Sequence, residues 1–392
     1  ACSRAVTRFC WASTEEYISH SIMKYERHPF SVRHHSPKKH INLDIIKKII
    51  SSKSIKCLNA LLCTGWDCNT PFVYCTESGT KSVTALLLAT ERNWCDGVAT
   101  LVNYGATTDV ATVPVEIGIN GGICVSRKWF QPLYTPLMNA AKHGCLRCLK
   151  TLINAECDVN FIENVTKTNA LRLAMYGGHV DCVQALVKAK ADVKTVGDPL
   201  YFPIGSPRTL YAYCPCSPLI AAIRHFNGTI HINCTDSPIT VDHSVRTVWL
   251  NIIRSLLNNG CNVDYNGCHL ETAPLIESVE SRDTRVLELL LHHGADTNIK
   301  SHVKLQTTPK VITALDLACY ANHFPAVQLL IEYGAPIETV SEELVKHILE
   351  HAFFDVAILL VLAGFKMPPS FQDIPKKDVS DKYIPNRKFE VF

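Results

Sequence analysis

Thiols are the first chemistry this sequence offers, with eighteen cysteines in 392 residues. Cysteine thiolate is a soft donor, and structural zinc sites recruit it in closely spaced pairs. Cys145-Leu146-Arg147-Cys148 has that spacing. A complete zinc site needs a second ligand pair, and none follows at matching spacing. Cys148 also falls where a helix should turn toward its core, so the pair reads as packing. Cys214-Pro215-Cys216, His225, His231 and Cys234 form a looser group around two long connections. Zinc could staple such loops, although Cys-x-Cys is an uncommon spacing for structural zinc. No metal, cofactor or catalytic residue is assigned.

Other chemistry finds no foothold. There is no glycine-rich phosphate loop, nucleophile elbow or His-Glu-x-x-His motif. The histidines form no spaced constellation with carboxylates, so catalysis is not expected. A net charge of +3 is too even to argue for nucleic acid. The longest apolar run, Val356 to Phe365, is ten residues, about half of what a membrane helix needs. The chain begins at Ala1 rather than Met and shows no secretory signal pattern, which by itself decides nothing about targeting. Cys57, Cys148, Cys182 and Cys319 sit at apolar positions of helical segments. They read as small core hydrophobes in a reducing compartment, the cytoplasm and also the nucleus.

The elements that would position these residues repeat. Aliphatic residues, two variable positions and then Gly, a small residue and often Asp or Asn recur along the chain. Leu290-Leu291-His292-His293-Gly294-Ala295-Asp296 is one clear copy, and Leu256 to Asp264 is another. The glycine-equivalent positions are 65, 105, 156, 190, 260, 294, 334 and 364, spaced by 40, 51, 34, 70, 34, 40 and 30. Aliphatics at helical spacing bury one face, and glycine ends the helix in a left-handed residue. Glu156 and Lys190 replace glycine, which costs on the order of 1 kcal/mol each. A second phrase opens each unit: Thr84-Ala85-Leu86, Thr135-Pro136-Leu137, Asn169-Ala170-Leu171, Ser217-Pro218-Leu219, Ala273-Pro274-Leu275 and Thr313-Ala314-Leu315. Thr, Ser or Asn can cap the new helix, and Pro fits its first turn.

These phrases resemble the ankyrin repeat, whose helix pair opens on Thr-Pro-Leu-His and closes on a Gly-Ala-Asp turn. The resemblance spans residues 42–365 and implies an all-α solenoid of about eight helix pairs. Residues 1–41 are a basic segment or N-terminal cap, and 366–392 a proline-bearing linker or tail. Connections at about 107–133, 195–216, 226–243 and 300–311 are binding loops or tolerated surface decoration. One departure stands out. The histidine after the opening Leu is missing everywhere, its place taken by Leu87, Met138, Arg172, Ile220, Ile276 and Asp316. The resemblance therefore implies a looser array.

The resemblance implies a non-catalytic protein-binding scaffold. Contacts in such arrays come from the residues ending each first helix. Aligned to the motif, these include Arg92, Lys142, His143, Tyr176, Arg224, His225, Glu280 and Tyr320. The basic members point to an acidic protein partner, with Tyr176 as apolar anchor and only Glu91 opposing them. A weaker resemblance is to ankyrin repeat and SOCS box proteins, which recognise substrates for cullin-type ubiquitin ligases. Their C-terminal box carries Leu-x-x-x-Cys and binds elongin B/C. Nothing after Lys366 supplies it, so elongin and cullin are expected only if such a box follows.

Overall fold

The computed structural model describes residues 43–76, 79–111, 113–114, 116–117, 123–124, 134–163, 167–195, 200–202, 212–214, 217–229, 242–265, 272–305 and 308–366. Among them are sixteen α-helices, which fall into eight pairs. The first four pairs are α1 (Leu43–Ser52) with α2 (Ile55–Cys63), α3 (Ala85–Glu91) with α4 (Cys95–Asn103), α5 (Pro136–Lys142) with α6 (Leu146–Asn154), and α7 (Ala170–Tyr176) with α8 (Val180–Lys188). The next four are α9 (Pro218–Asn227) with α10 (His243–Asn258), α11 (Pro274–Val279) with α12 (Arg285–His292), α13 (Ala314–Tyr320) with α14 (Phe324–Glu332), and α15 (Glu342–Glu350) with α16 (Phe354–Leu362). None is long and apolar enough to cross a membrane.

Each helix starts and stops where its residue types allow. The side chains of Thr84, Thr135, Asn169 and Thr313 accept hydrogen bonds from the backbone N–H groups of Leu87, Met138, Arg172 and Asp316. Those N–H groups have no partner inside the helix, so the caps remove a desolvation cost. Ser217, expected to do the same, makes no such bond. At the other end, all eight glycine-equivalent positions are left-handed. Gly65, Gly105, Gly260, Gly294, Gly334 and Gly364 have φ between +79° and +104°, while Glu156 and Lys190 are forced to 58° and 61°. The leucine four residues ahead of each of these positions, from Leu61 to Leu360, is at most 2% exposed. Burying one such side chain is worth about 1.5–3 kcal/mol.

The all-α expectation holds for the helical array, with short hairpins added. Strand β1 (Phe72–Thr76) pairs antiparallel with β2 (Gly79–Val83), and β3 (Val113–Pro114) joins β2. Strands β4 (Glu116–Ile117) with β5 (Ile123–Cys124) and β6 (Leu200–Phe202) with β7 (Ala212–Cys214) form two further ladders. The last hairpin is β8 (Ser301–Leu305) with β9 (Thr308–Ile312). The β1–β2 and β8–β9 hairpins explain the two 40-residue spacings, since each ends just before a capping threonine, Thr84 or Thr313. Their inward residues Phe72, Val83, Val303 and Ile312 are buried, which anchors the pairing register.

The described residues form two compact units, divided between Glu277 and Ser278 inside α11. In the first unit, first helices pack on first helices (α1, α3, α5, α7, α9), and second helices on second helices (α2, α4, α6, α8, α10). In the second unit α13 packs on α15 and α14 on α16 in the same manner. Alanines make the close approach possible: Ala140, Ala141, Ala174, Ala222 and Ala318 are fully buried.

The looser array inferred from the missing opening histidines is offset by ties of other kinds. After the first three left-handed turns, the residue four places on reaches the next helix pair's backbone. Asn69 Oδ1 accepts from Thr107 N–H at 2.7 Å, Asp109 Oδ1 from Asp158 N–H at 2.9 Å, and Asn160 Oδ1 from Asp192 N–H at 2.7 Å. Imidazoles supply a second set. Nε2 of His179 donates to the Lys142 carbonyl at 3.0 Å, and Nε2 of His323 to that of Ser281 at 3.0 Å.

Candidate interaction surface

The expected contact residues lie at the ends of first helices, and packing of α3, α5, α7 and α9 brings four of those ends side by side. Arg92 follows the last residue of α3, Lys142 ends α5, and His143 caps it; all three are exposed. Lys142 Nζ lies 5.0 Å from the centre of the Tyr134 ring, a cation–π distance that orients its charge. Tyr176 ends α7 and is half-buried. Arg92 and Lys142 therefore place positive charge on the helix ends that precede the Tyr176 ring, with half-exposed Glu91 beside Arg92.

Arg224 and His225 behave differently, and the reason is helix length. Helix α9 runs ten residues where α3, α5 and α7 run seven. The positions aligned with a helix end thus fall inside a helix. His225 is buried, donates from Nε2 to the Met175 carbonyl at 2.6 Å, and stacks on Trp249 of α10 at 4.1 Å. Burial pulls its pKa down to about 4, against the hydrogen bond to Met175, with the neighbouring His179 adding to the fall. The ring is neutral at physiological pH and ties α9 to α7, so it offers no surface charge. Arg224 is half-buried and forked onto Glu277, Nε to Oε1 at 2.8 Å and Nη2 to Oε2 at 3.3 Å. Thr272 also donates to that carboxylate, and Asn227 to the Glu277 carbonyl at 2.9 Å. Glu91 is therefore not the only acid among these basic residues. Glu277 could not be singled out by spacing, because it sits early in its own helix and meets Arg224 only through folding.

In the second unit, Glu280 lies just past α11 and is exposed. Tyr320 ends α13, half-buried, with its ring 4.9 Å from that of His347 on α15.

For the thiols, Cys216, His231 and Cys234 lie outside the described residues, as does the side chain of Cys214. Cys145 and Cys148 are not alone. Cys95, from the preceding helix pair, places its Sγ 3.2 Å from that of Cys145 and 3.4 Å from that of Cys148. The three Sγ atoms all lie within 4.8 Å of one another. A signal for this existed in the repeat spacing: the closures at 105 and 156 are 51 residues apart, which sets Cys95 one unit before the Cys145 turn.

Helix pairs that open on a capped Thr-Pro-Leu or Thr-Ala-Leu phrase and close on a left-handed turn, stacked like on like, define the ankyrin-repeat class. Family models agree: one for ankyrin repeats (three copies) matches residues 123–196, and one for the single ankyrin repeat matches 312–342. The chain therefore carries ankyrin repeats, and ankyrin repeats are protein-interaction modules. A stretch of 55 residues, 14% of this chain, is 38% identical to XBAT31 of Arabidopsis thaliana, described as a candidate E3 ubiquitin-protein ligase. A stretch of 90 residues, 23% of this chain, is 34% identical to FPV232 of Fowlpox virus (strain NVSL), described as a candidate ankyrin repeat protein. The matches take in only 12% and 17% of those two proteins. Among solved structures, the human ASB11 ankyrin repeat domain aligns over 77% of this chain and 99% of its own, with a TM-score of 0.42 and 18% identity.

Proposed function

We propose that this chain binds a protein partner with an acidic face, through the first-helix ends of its first unit. The observation that carries the reading is the exposure of Arg92 and Lys142 on helices packed directly against each other, with the Tyr176 ring on the next. Like charge along a docking surface steers encounter and makes it salt-sensitive. Tyr176 is the large, stiff side chain that interface centres favour. Arg224 and His225 are left out of this surface, being engaged inside the stack. The bland alternative, ordinary solvated charge, makes no demand on salt or partner.

The test is affinity capture from cells with the full chain and with the Arg92→Glu/Lys142→Glu double variant, compared by quantitative mass spectrometry. Partners rich in acidic surface should fall at least about tenfold with the variant, more so at low salt. Thermal stability should hold, because exposed charges contribute little to it. Identical capture by both proteins would remove this surface from consideration.

A second reading, substrate recognition for a ubiquitin ligase, draws support from the stretch similar to XBAT31. Recovery of elongin and cullin in the same capture would favour it. Residence in the cytoplasm or nucleus belongs to both readings, and fluorescence imaging of the tagged chain tests it.

A further inference from the structure

We propose that Cys95, Cys145 and Cys148 form a three-thiolate zinc site that staples one helix pair to the next. Cys95 is the first residue of α4, Cys145 the residue capping α6, and Cys148 the third residue of α6. The two helices pack side by side, so the thiols converge from two separate elements.

Geometry favours a metal over the alternatives. Zinc–thiolate bonds of about 2.3 Å at tetrahedral angles place the sulfurs about 3.8 Å apart. The two separations from Cys95, 3.2 and 3.4 Å, lie about half an ångström short of that, and all three atoms lie within 4.8 Å of one another. A disulfide would need one pair to close to about 2.05 Å and would leave the third thiol over. Simple core packing explains Cys148, which is fully buried, but not Cys95 and Cys145, which are half-exposed.

The surroundings favour thiolate most at Cys145. Cys95 begins α4 and Cys145 caps α6, so both lie at helix N-termini, where partial positive charge favours an anion. Burial works to raise the Cys145 thiol, but hydrogen bonds from the Cys148 thiol, from Cys95 and from the N–H groups of Cys148 and Arg147 outweigh it, leaving it below the ordinary value. Burial raises Cys95 and, further, Cys148 in the metal-free chain. A bound dication reverses that by displacing the protons outright. Zinc binding would release three protons to solvent and move no electrons, leaving three thiolates and one cation with a net single negative charge. Arg147, paired with Asp96 at 3.0 Å, lies beside the cluster, though burial and the Cys145 thiol outweigh its charge at Cys95. The Trp94 indole fills the space over Gly97, where any Cβ would collide with it, and so fixes the turn that presents Cys95. Cys95 and Cys145 are half-exposed, so water from solvent would complete the tetrahedron, as in three-ligand zinc sites.

The test uses the full chain, reduced, stripped of metal and kept free of oxygen. Titration with Co²⁺ should bind one equivalent and produce thiolate-to-cobalt charge-transfer absorption, and Zn²⁺ should displace it. Cys95→Ser and Cys145→Ser should each weaken zinc by more than ~100-fold, beyond the loss typical of an outer-shell change. Cys63→Ser, an exposed thiol elsewhere, should leave affinity unchanged. Circular dichroism confirms that each variant is folded, and the wild-type stoichiometry stands independently of the variants. Cobalt uptake without charge-transfer absorption, equal affinity in Cys95→Ser, or binding of Cu⁺ with none of zinc would overturn the assignment.

Discussion

Helix pairs α5/α6 and α7/α8 are neighbours built on one backbone plan, yet their connecting turns do different chemistry. Gly144 and Gly178 both take φ +67°, and the residues after them, Cys145 and His179, have φ of −81° and −82°. Their N–H groups bond back to Ala140 and Ala174 at 2.9 and 3.0 Å. From that shared start the His179 ring crosses to the preceding pair and donates to the Lys142 carbonyl, while the Cys145 thiol meets Cys95. The backbone supplies the position, and side-chain reach decides what is made there. A ring long enough to span the gap gives a hydrogen bond between units. A short thiol spans it only where a second thiol stands opposite.

The imidazole side of this contrast is the one pH can break, and His225, the buried tie onto α7, should show the largest effect. The unfolded chain takes up a proton on this residue near the ordinary imidazole value of 6.5, whereas the folded ring resists until about 4. Between those values protons favour the unfolded state. The contribution is therefore complete above about pH 6.5 and is lost on acidification toward pH 4, on the order of 3 kcal/mol in all. Urea unfolding at several pH values should give a shallower acid loss in His225→Gln than in the wild type. His323, whose pKa burial also lowers, acts in both proteins and cancels in the difference. Parallel pH profiles would refute the tie.

Gly144 probes the contact between the two pairs. An added Cβ would meet His179 Nδ1 at 2.5 Å, in a left-handed conformation that L residues disfavour. Gly144→Ala should cost about 2–3 kcal/mol by denaturant unfolding. Gly294→Ala, at φ +79° with open space around it, should cost only about 1 kcal/mol. Equal losses would mean that the His179 ring yields freely.

The smallest effect concerns what the two pairs share. Both close on a left-handed residue that is not glycine, Glu156 or Lys190. Glu156→Gly and Lys190→Gly should each stabilise by about 0.5–1 kcal/mol, the relief of strain outweighing the added chain entropy. The two gains should add, since the sites are 34 residues apart in sequence and in different turns. A lower melting temperature in either variant would contradict the strain.

Periodicity and turn chemistry were enough to place the eight closing turns, four of the capping residues and the pairing of helices. Each of those features is local: a left-handed residue, an orphan N–H or an apolar face is decided within a few positions of chain. What lay beyond reach were the side-chain contacts between one helix pair and the next, for which the closure spacing gave a hint only at Cys95. That His225 is a neutral buried tie follows from three extra residues on α9 and from Trp249 lying against it. The engagement of Arg224 depends on Glu277, 53 residues away. The two-residue spacing of Cys145 and Cys148 looked like half a zinc site because the third sulfur, Cys95, comes from the unit before. Helix formation and capping are governed by short-range sterics and hydrogen bonds, which a sequence displays directly. Charge pairing, pKa and thiol clustering depend on distances across the stack, and only the packing of one helix pair on the next sets those.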